Sequence, residues 1–408
     1  MSISAEAGRK GPDVRSDCWV KLIPTDSGGI QFKMDSKVKI MYGRSIEAVV
    51  SAGLKFFDIT NVKVELEDSG ALPFTIMARV ETAVQRLKLD NEKQWLPEFK
   101  RNSQYTTSRD RFRRSRLYLP GNEPKFMINA GIHKPDGIIL DLEDSVAPLE
   151  KDAAQTLVRN ALRQVDFYGA ERMVRINQIP NGLEDLKFII PHNVHVILIP
   201  KCESPDQVKI VDEEARKLLN EKNVKQEIFY MPIVESALGA LKAYEIATAS
   251  PNVVALTIGL EDYTADIGTQ RTLEGRESYW ARSQVVNAAR AAGVQPIDTV
   301  FSDVTDMEGL KQSVLEAKSL GFDGKGCIHP RQIQIIHEAF APTVEEIEKA
   351  KKIVLAFEEA EAKGLGVVSL GSKMIDPPIV KRAQRTIKLA LETGKLCSDW
   401  REGDEQND

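Results

Sequence analysis

The chain changes rhythm twice along its length. Over residues 17–90, apolar and polar positions alternate with period two in "CWVKLIP", "IQFKMD" and "NVKVELED", which predicts strands. "SIEAVVSAGLKFF" shows the three-and-four spacing of an amphipathic helix, and "FTIMARVETAVQRL" reads as a further strand running into a helix. These elements predict a small α+β unit within residues 1–90. Residues 91–113 then turn polar and charged without a clean period and are assigned as a linker. Trp95 and Phe99 are the side chains in it suited to pinning it to a neighbour.

After the linker, short apolar runs alternate with longer amphipathic stretches. The runs are "SRLYLPG", "GIILDLED", "MVRIN", "HVILIPKCE", "IFYMPIVES", "VVALTIGLED", "PIDTVFSD" and "GKGCIHP". Eight such runs in about 220 residues predict parallel strands with crossover helices closing into a (β/α)₈ TIM barrel over residues 114–342. An open doubly wound sheet is the rival, but "PGNEP" after the first run is not the Gly-rich phosphate turn that fold would show. Residues 343–408 read as a helical extension, two helices around the loop "LGVVSLGSKMIDPP".

Composition narrows the field. A 408-residue chain that is 42% hydrophobic and 28% charged is ordinary for a globular protein with a sizeable core. Its formal charge of -5 gives no global pull toward nucleic acid or anionic lipid. Cys18, Cys202, Cys327 and Cys397 have no metal-ligand spacing and fit free thiols in a reducing compartment, so cytoplasm is expected. No signal peptide and no run of about 18 apolar residues is evident.

The candidate chemistry sits where the apolar runs end, the face on which TIM barrels carry their active sites. Asp141, Glu143 and Asp144 close the second run; Arg175 is in the third; Lys201 and Glu203 close the fourth; Glu235 closes the fifth. Glu261 and Asp262 close the sixth, Asp298 and Asp303 lie in the seventh, and His329 closes the eighth. A single acid after a strand commonly caps the next helix, but several facing one another repel unless cations compensate them. The absence of zinc-type spacing points to a hard cation, Mg²⁺ or Mn²⁺, with Glu235 and Asp262 as the first pair because they close adjacent strands. Arg175 and Lys201 would suit an anionic substrate. Asp298 and Asp303 read as structural, and His329 before Pro330 as a loop residue.

Taken together, "RRSRLYLPGNEPKFM", "DGIILDLEDSVAPLEKDAA", "MVRIN", "MPIVESALGALKAYEIATAS", "IGLEDYTADIG", "GFDGKGCIHPRQI" and "MIDPPIVKRAQ" resemble the citrate lyase beta subunit and its relatives, the malyl-CoA and citramalyl-CoA lyases of the HpcH/HpaI aldolase/citrate lyase superfamily, over about residues 113–385. The resemblance implies a Mg²⁺-dependent carbon–carbon lyase of a 3-hydroxy-3-carboxy acyl thioester, forming a homo-oligomer, trimer or hexamer, and working with a citrate lyase alpha subunit. It implies Glu235 and Asp262 as metal ligands and Arg175 as the cation on the substrate carboxylate and thioester carbonyl. Asp376, otherwise a helix N-cap, would complete a neighbouring subunit's site and handle a proton. Arg116 and Lys125 match positions that meet carrier phosphates, and Glu143 is a candidate for substrate contact and for the base. The N-terminal stretch "MYGRSIEAVVSAGLKFFDITNVKVELEDSGALPFTIMARVETAV" resembles the citrate lyase acyl carrier subunit, which bears a phosphoribosyl-dephospho-CoA arm on a serine. Ser16 is the serine near that place, whereas ungapped alignment puts Arg15 there. The alternative implied substrates are free CoA thioesters, citramalyl-CoA or malyl-CoA, and the alternative from another class is a non-catalytic scaffold subunit.

Overall fold

The computed structural model describes residues 4–88, 93–362, 368–370 and 373–401. Residues 89–92, where the boundary of the N-terminal unit is expected, and part of the "LGVVSLGSKM" loop fall outside them. The described residues form two compact units, Met1–Ile333 and Gln334–Asp408.

The first unit begins with a four-stranded sheet of β1 (Ala5–Gly8), β2 (Cys18–Pro24), β3 (Ile30–Ser36) and β4 (Val62–Asp68), in the order β1-β2-β4-β3. Period-two burial along β2 and β4 turns Cys18, Val20, Leu22, Val62, Val64 and Leu66 onto one face. There they meet Ile46, Val50 and Leu54 of helix α1 (Lys39–Phe56) and Ile76, Val80 and Val84 of helix α2 (Pro73–Arg86). Two expectations change. β1 is an additional strand, and "FTIM" is the first turn of α2, with Pro73 starting the helix. The apolar run reads as a strand because α2 is buried around most of its circumference, sheet on one side and barrel on the other.

All eight remaining runs form the barrel expected. Its strands are β5 (Ser115–Pro120), β6 (Gly137–Asp141), β7 (Glu171–Arg175), β8 (Val196–Ile199), β9 (Phe229–Val234), β10 (Ala255–Ile258), β11 (Gln295–Asp298) and β12 (Gly324–Cys327). Every pair is parallel, and β12 closes on β5. Ile139, Met173, Val196, Leu198, Met231, Ile233 and Ile297 fill the interior with Tyr118. Alternation then places Asp141 and Arg175, two residues beyond Ile139 and Met173, on the inward face at the mouth.

The expected linker is a strap rather than a spacer. Trp95 packs on the N-terminal core while its N–H donates to Glu81 Oε2 at 2.9 Å. The Arg163 guanidinium stacks 3.8 Å from the Phe99 ring, and buried Arg113 forms a bidentate pair with Glu171. The N-terminal unit itself docks on the barrel through α2 and the helix Lys151–Gln164. Arg159 pairs with Glu81 at 2.6 and 2.7 Å, both fully buried. Thr82 and Thr156 share a 2.7 Å hydroxyl contact, and Asn160 donates to the Phe74 carbonyl. Buried Arg79 binds Asp17 and also donates to the Asn122 carbonyl, in the loop leaving β5.

The second unit packs the helices Val344–Ala362 and Pro377–Glu392 around Ile353, Val354, Val380, Ala383, Ile387 and Trp400. All four cysteines are free, and no helix among the described residues is long and apolar enough to cross a membrane.

Removing one partner of a buried ion pair strands the other charge, whereas replacing both by apolar residues does not. Glu81→Leu is therefore expected to lower the stability of the full chain by roughly 3–5 kcal/mol, and Glu81→Leu with Arg159→Met to recover most of that loss in urea unfolding.

Candidate active site

Strand ends deliver the site residues to one cavity of about 410 Å³, lined by Arg116, Tyr118, Asp141, Asp144, Arg175, Glu235, Gly259, Glu261 and Asp262 among others. Asp141 ends β6 and Arg175 ends the neighbouring β7 in direct register. Their side chains form a two-point pair, with Arg175 Nε and Nη2 each donating to Asp141 at 2.7 Å. Asp141 also accepts the Glu143 and Ser145 N–H groups, so the acid that fixes the arginine also folds the loop. Burial works against both charges, yet the pair holds the Asp141 carboxyl below its ordinary range and raises Arg175. Arg175 Nη1 lies 3.0 Å from Glu143 Oε2.

Lys201 ties Glu143 and Asp144 to Glu235 and Asp262. Its backbone takes the left-handed conformation, φ 46°, which few side chains adopt without compensation. That turn directs its N–H to Glu235 Oε1 at 2.7 Å and its ammonium to Glu143, Asp144 and Asp262 at 3.2, 3.5 and 3.6 Å. Burial disfavours the Lys201 charge, but these acids outweigh it and raise its pKa.

Glu235 is only 5% exposed. Burial above all, with the Asp262 charge added and the Lys201 N–H opposing, lifts its carboxyl to about 7. Gly259 makes room for it: a Cβ there would lie 2.5 Å from Glu235 Oε2. Asp262 stands in the first turn of the short helix Leu260–Asp266, more open to solvent. Among the described residues no group of three or more His, Cys, Asp and Glu is placed to hold a metal ion. Glu235 and Asp262 form a carboxylate pair on one cavity, with Glu235 short of positive charge. That fits Mg²⁺ or Mn²⁺, which take one or two carboxylates and leave other positions to water and substrate.

The comparisons with known proteins concern the chain that carries this cavity. The family described as HpcH/HpaI aldolase/citrate lyase matches residues 114–330. The chain belongs to that family. It is 41% identical to the citrate lyase subunit beta of Leuconostoc mesenteroides subsp. cremoris over 288 residues, 69% of this chain and 94% of that one. It is 34% identical to the mitochondrial citramalyl-CoA lyase of Homo sapiens over 290 residues, 68% and 85% of the two chains. The crystal structure of protein CitE from Mycobacterium tuberculosis in complex with magnesium, acetoacetate and coenzyme A superposes with a TM-score of 0.57 at 28% identity, covering 69% of this chain and 99% of that one. Residues 10–87 match an acyl carrier family described as malonate decarboxylase delta subunit.

Other expected residues of this HpcH/HpaI-family chain fall elsewhere. Glu143 does not line the cavity. Its oxygens are taken by Arg175, Lys201 and Gln178, so it positions the two cations. Arg116, by contrast, lines the cavity from deep inside the barrel, as the second residue of β5 on the inward face that Tyr118 continues. Lys125 is part-exposed beside Glu123 and Phe126 and does not line the cavity. Asp298 is consumed outside the barrel wall by Lys325 and Arg282, and Asp303 caps its own turn. His329 Nδ1 accepts the Arg331 N–H, a loop role. Asp376 caps the helix Pro377–Glu392, within the second unit. Ser16 is half-buried with φ 58° beside exposed Arg15. Gln178 was missed; a lone amide in "RINQIP" carries no signal until Glu143 is seen beside it.

Glu235 must release its proton to bind a cation, so Mg²⁺ affinity should climb about tenfold per pH unit up to about 7 and level above it. The metal-free protein should lose stability across the window from 4.5 to about 7, because the folded state there holds a proton that the unfolded chain has released. Calorimetric titration checks the first and thermal unfolding the second; Gly259→Ala should weaken Mg²⁺ binding with both ligands intact.

Proposed function

We propose that this chain is a Mg²⁺-dependent carbon–carbon lyase that cleaves a citryl thioester to oxaloacetate and acetyl thioester. The observation that carries the reading is the Glu235–Asp262 pair sharing one cavity with a charge-fixed Arg175 in a member of the citrate lyase family. Glu235 and Asp262 would hold the metal, which supplies Lewis-acid charge to the carboxylate and hydroxyl oxygens of the substrate. In the cleavage a carboxylate lining the cavity, such as Asp144, would take the hydroxyl proton as the bond between the hydroxyl carbon and the carbon alpha to the thioester breaks, leaving a keto group on one fragment and a thioester enolate on the other. Arg175, held by Asp141 through Nε and Nη2 and by Glu143 through Nη1, would turn the N–H groups left over on its fixed guanidinium toward the enolate oxygen. Lys201 bridges Asp262 and Glu143, offsetting their mutual repulsion, and fixes Glu235 through its N–H.

Asp376 is the proposed acid that protonates the enolate carbon, acting on the site of a neighbouring copy in a homo-oligomer, trimer or hexamer. The stretch "MIDPP" that carries it supports this reading through its resemblance to the citrate lyase family. The acyl-carrier-like domain supports a thioester substrate on a carrier or CoA, with a citrate lyase alpha subunit as a further partner. Four free cysteines support a reducing cytoplasm.

The test is oxaloacetate release from citryl-CoA by the purified full chain, with peptide mapping of residues 10–20 for a dephospho-CoA-derived adduct on Ser16. Glu235→Ala and Asp376→Ala should each lose more than a hundredfold in rate, roughly the loss of an essential acid or metal ligand. Mixing the two inactive variants after subunit exchange should restore activity. Folded Glu235→Ala with full activity would contradict the lyase reading, and no recovery on mixing would contradict the contribution in trans.

A further inference from the structure

The turn that leaves β5, Pro120-Gly121-Asn122-Glu123, is held from two sides. From the barrel side, Pro120 stands opposite Asp141 in register and lines the active-site cavity. The Gly121 N–H donates to the Asp141 carbonyl at 2.8 Å, and a Cβ at Gly121 would collide with that same oxygen. The turn therefore lies directly on the backbone of Asp141. That residue's carboxylate grips Arg175 at 2.7 Å and accepts the Glu143 and Ser145 N–H groups.

From the other side the turn meets the N-terminal unit. Buried Arg79 of α2 forms its two-point pair with Asp17 at 2.9 and 2.8 Å, and Nη2 also donates to the Asn122 carbonyl at 3.0 Å. Arg9, just beyond β1, pairs with Glu123, which also pairs with Lys125 at 3.5 Å. Two cations from the small unit thus converge on adjacent residues of one turn. Stability alone is a poor account of that arrangement. The Arg79–Asp17 pair is buried, and Arg79 Nη1 and the Asn122 side-chain oxygen are left without partners, a costly combination. Docking is already secured elsewhere on α2 by Glu81–Arg159, Thr82–Thr156 and Arg86–Asp152.

We propose that Arg79 and Arg9 are positioning residues of the active site: the N-terminal unit braces the turn after β5 against Asp141 and so fixes the Arg175 guanidinium. The proposal rests on the lyase reading above and deepens it, giving the carrier-like unit a task that does not require it to carry the substrate. The chain of contacts is short: guanidinium to turn carbonyl, turn amide to strand carbonyl, carboxylate to guanidinium. Small displacements along it matter, because misplacing a catalytic group by about 1 Å costs on the order of a hundredfold in rate.

The experiment follows two readouts on the full chain. One is hydrogen–deuterium exchange of the peptide covering residues 140–146, whose Glu143 and Ser145 amides are bonded to the Asp141 carboxylate. The other is kcat and KM for free citryl-CoA. In Asp17→Asn with Arg79→Gln, which removes both buried charges at once, exchange in that peptide should quicken about tenfold. There kcat should fall about tenfold with KM within about threefold of wild type. Arg86→Gln with Asp152→Asn breaks a contact between unit and barrel that does not touch the turn, and should move neither readout. A folded Asp17/Arg79 variant with wild-type exchange or unchanged kcat overturns the proposal, as does an equal effect from the Arg86/Asp152 pair. If the buried pair proves necessary for folding, Arg9→Gln at the surface decides: faster exchange over 140–146 supports the brace and wild-type exchange overturns it. If the wild type does not cleave citryl-CoA, the lyase reading falls while the exchange comparison still decides for or against the brace.

Discussion

The site depends on balancing carboxylates that repel one another at one end of a barrel. Asp141, Glu143, Asp144, Glu235 and Asp262 converge there, and Arg175 and Lys201 are the cations set among them. Arg175 is spent largely on Asp141 and Glu143, and Lys201 spreads its charge over three acids. Glu235 has a backbone N–H as its named donor, and burial, with the Asp262 charge added, lifts its carboxyl to about 7 against that hydrogen bond. The deficit of positive charge lies beside Asp262, where a divalent cation and an anionic substrate would complete the balance.

Much of this was legible in the chain. Eight apolar runs gave eight strands because parallel barrel strands are buried on both faces and carry a continuous hydrophobic signal. Glu235, Asp262, Arg175 and Lys201 were legible for a related reason: a charged residue closing a buried strand has few places to be except the mouth. What the sequence could not show was how charges are shared. Glu143 has the same local setting as Asp141, yet its oxygens are consumed behind the cations. Arg116 sits one strand layer below Tyr118, and only the closed barrel reveals that it faces inward without an acid. The "FTIM" turn misleads as a strand because burial on two sides erases the helical period.

The N-terminal unit changes how a carrier-like domain on a lyase is understood. Acyl-carrier tethering gains from a flexible linker that raises effective concentration. Here the connecting strap is anchored by Trp95, Phe99 and Arg113, and α2 is clamped by the buried Glu81–Arg159 pair. Through Asp17, Arg79 and Asn122, the segment around Ser16 is tied to the loop leaving β5, whose last residues line the active-site cavity. The carrier-like domain is thus docked on the barrel, and its connection is not a flexible tether.

The most direct measurement of the central claim is the position of Mn²⁺ by anomalous diffraction from crystals of the full chain grown at pH 8. The account predicts one strong peak bridging the carboxylates of Glu235 and Asp262, absent in Glu235→Gln. A peak bound elsewhere in the barrel, or none at these two residues, would contradict it.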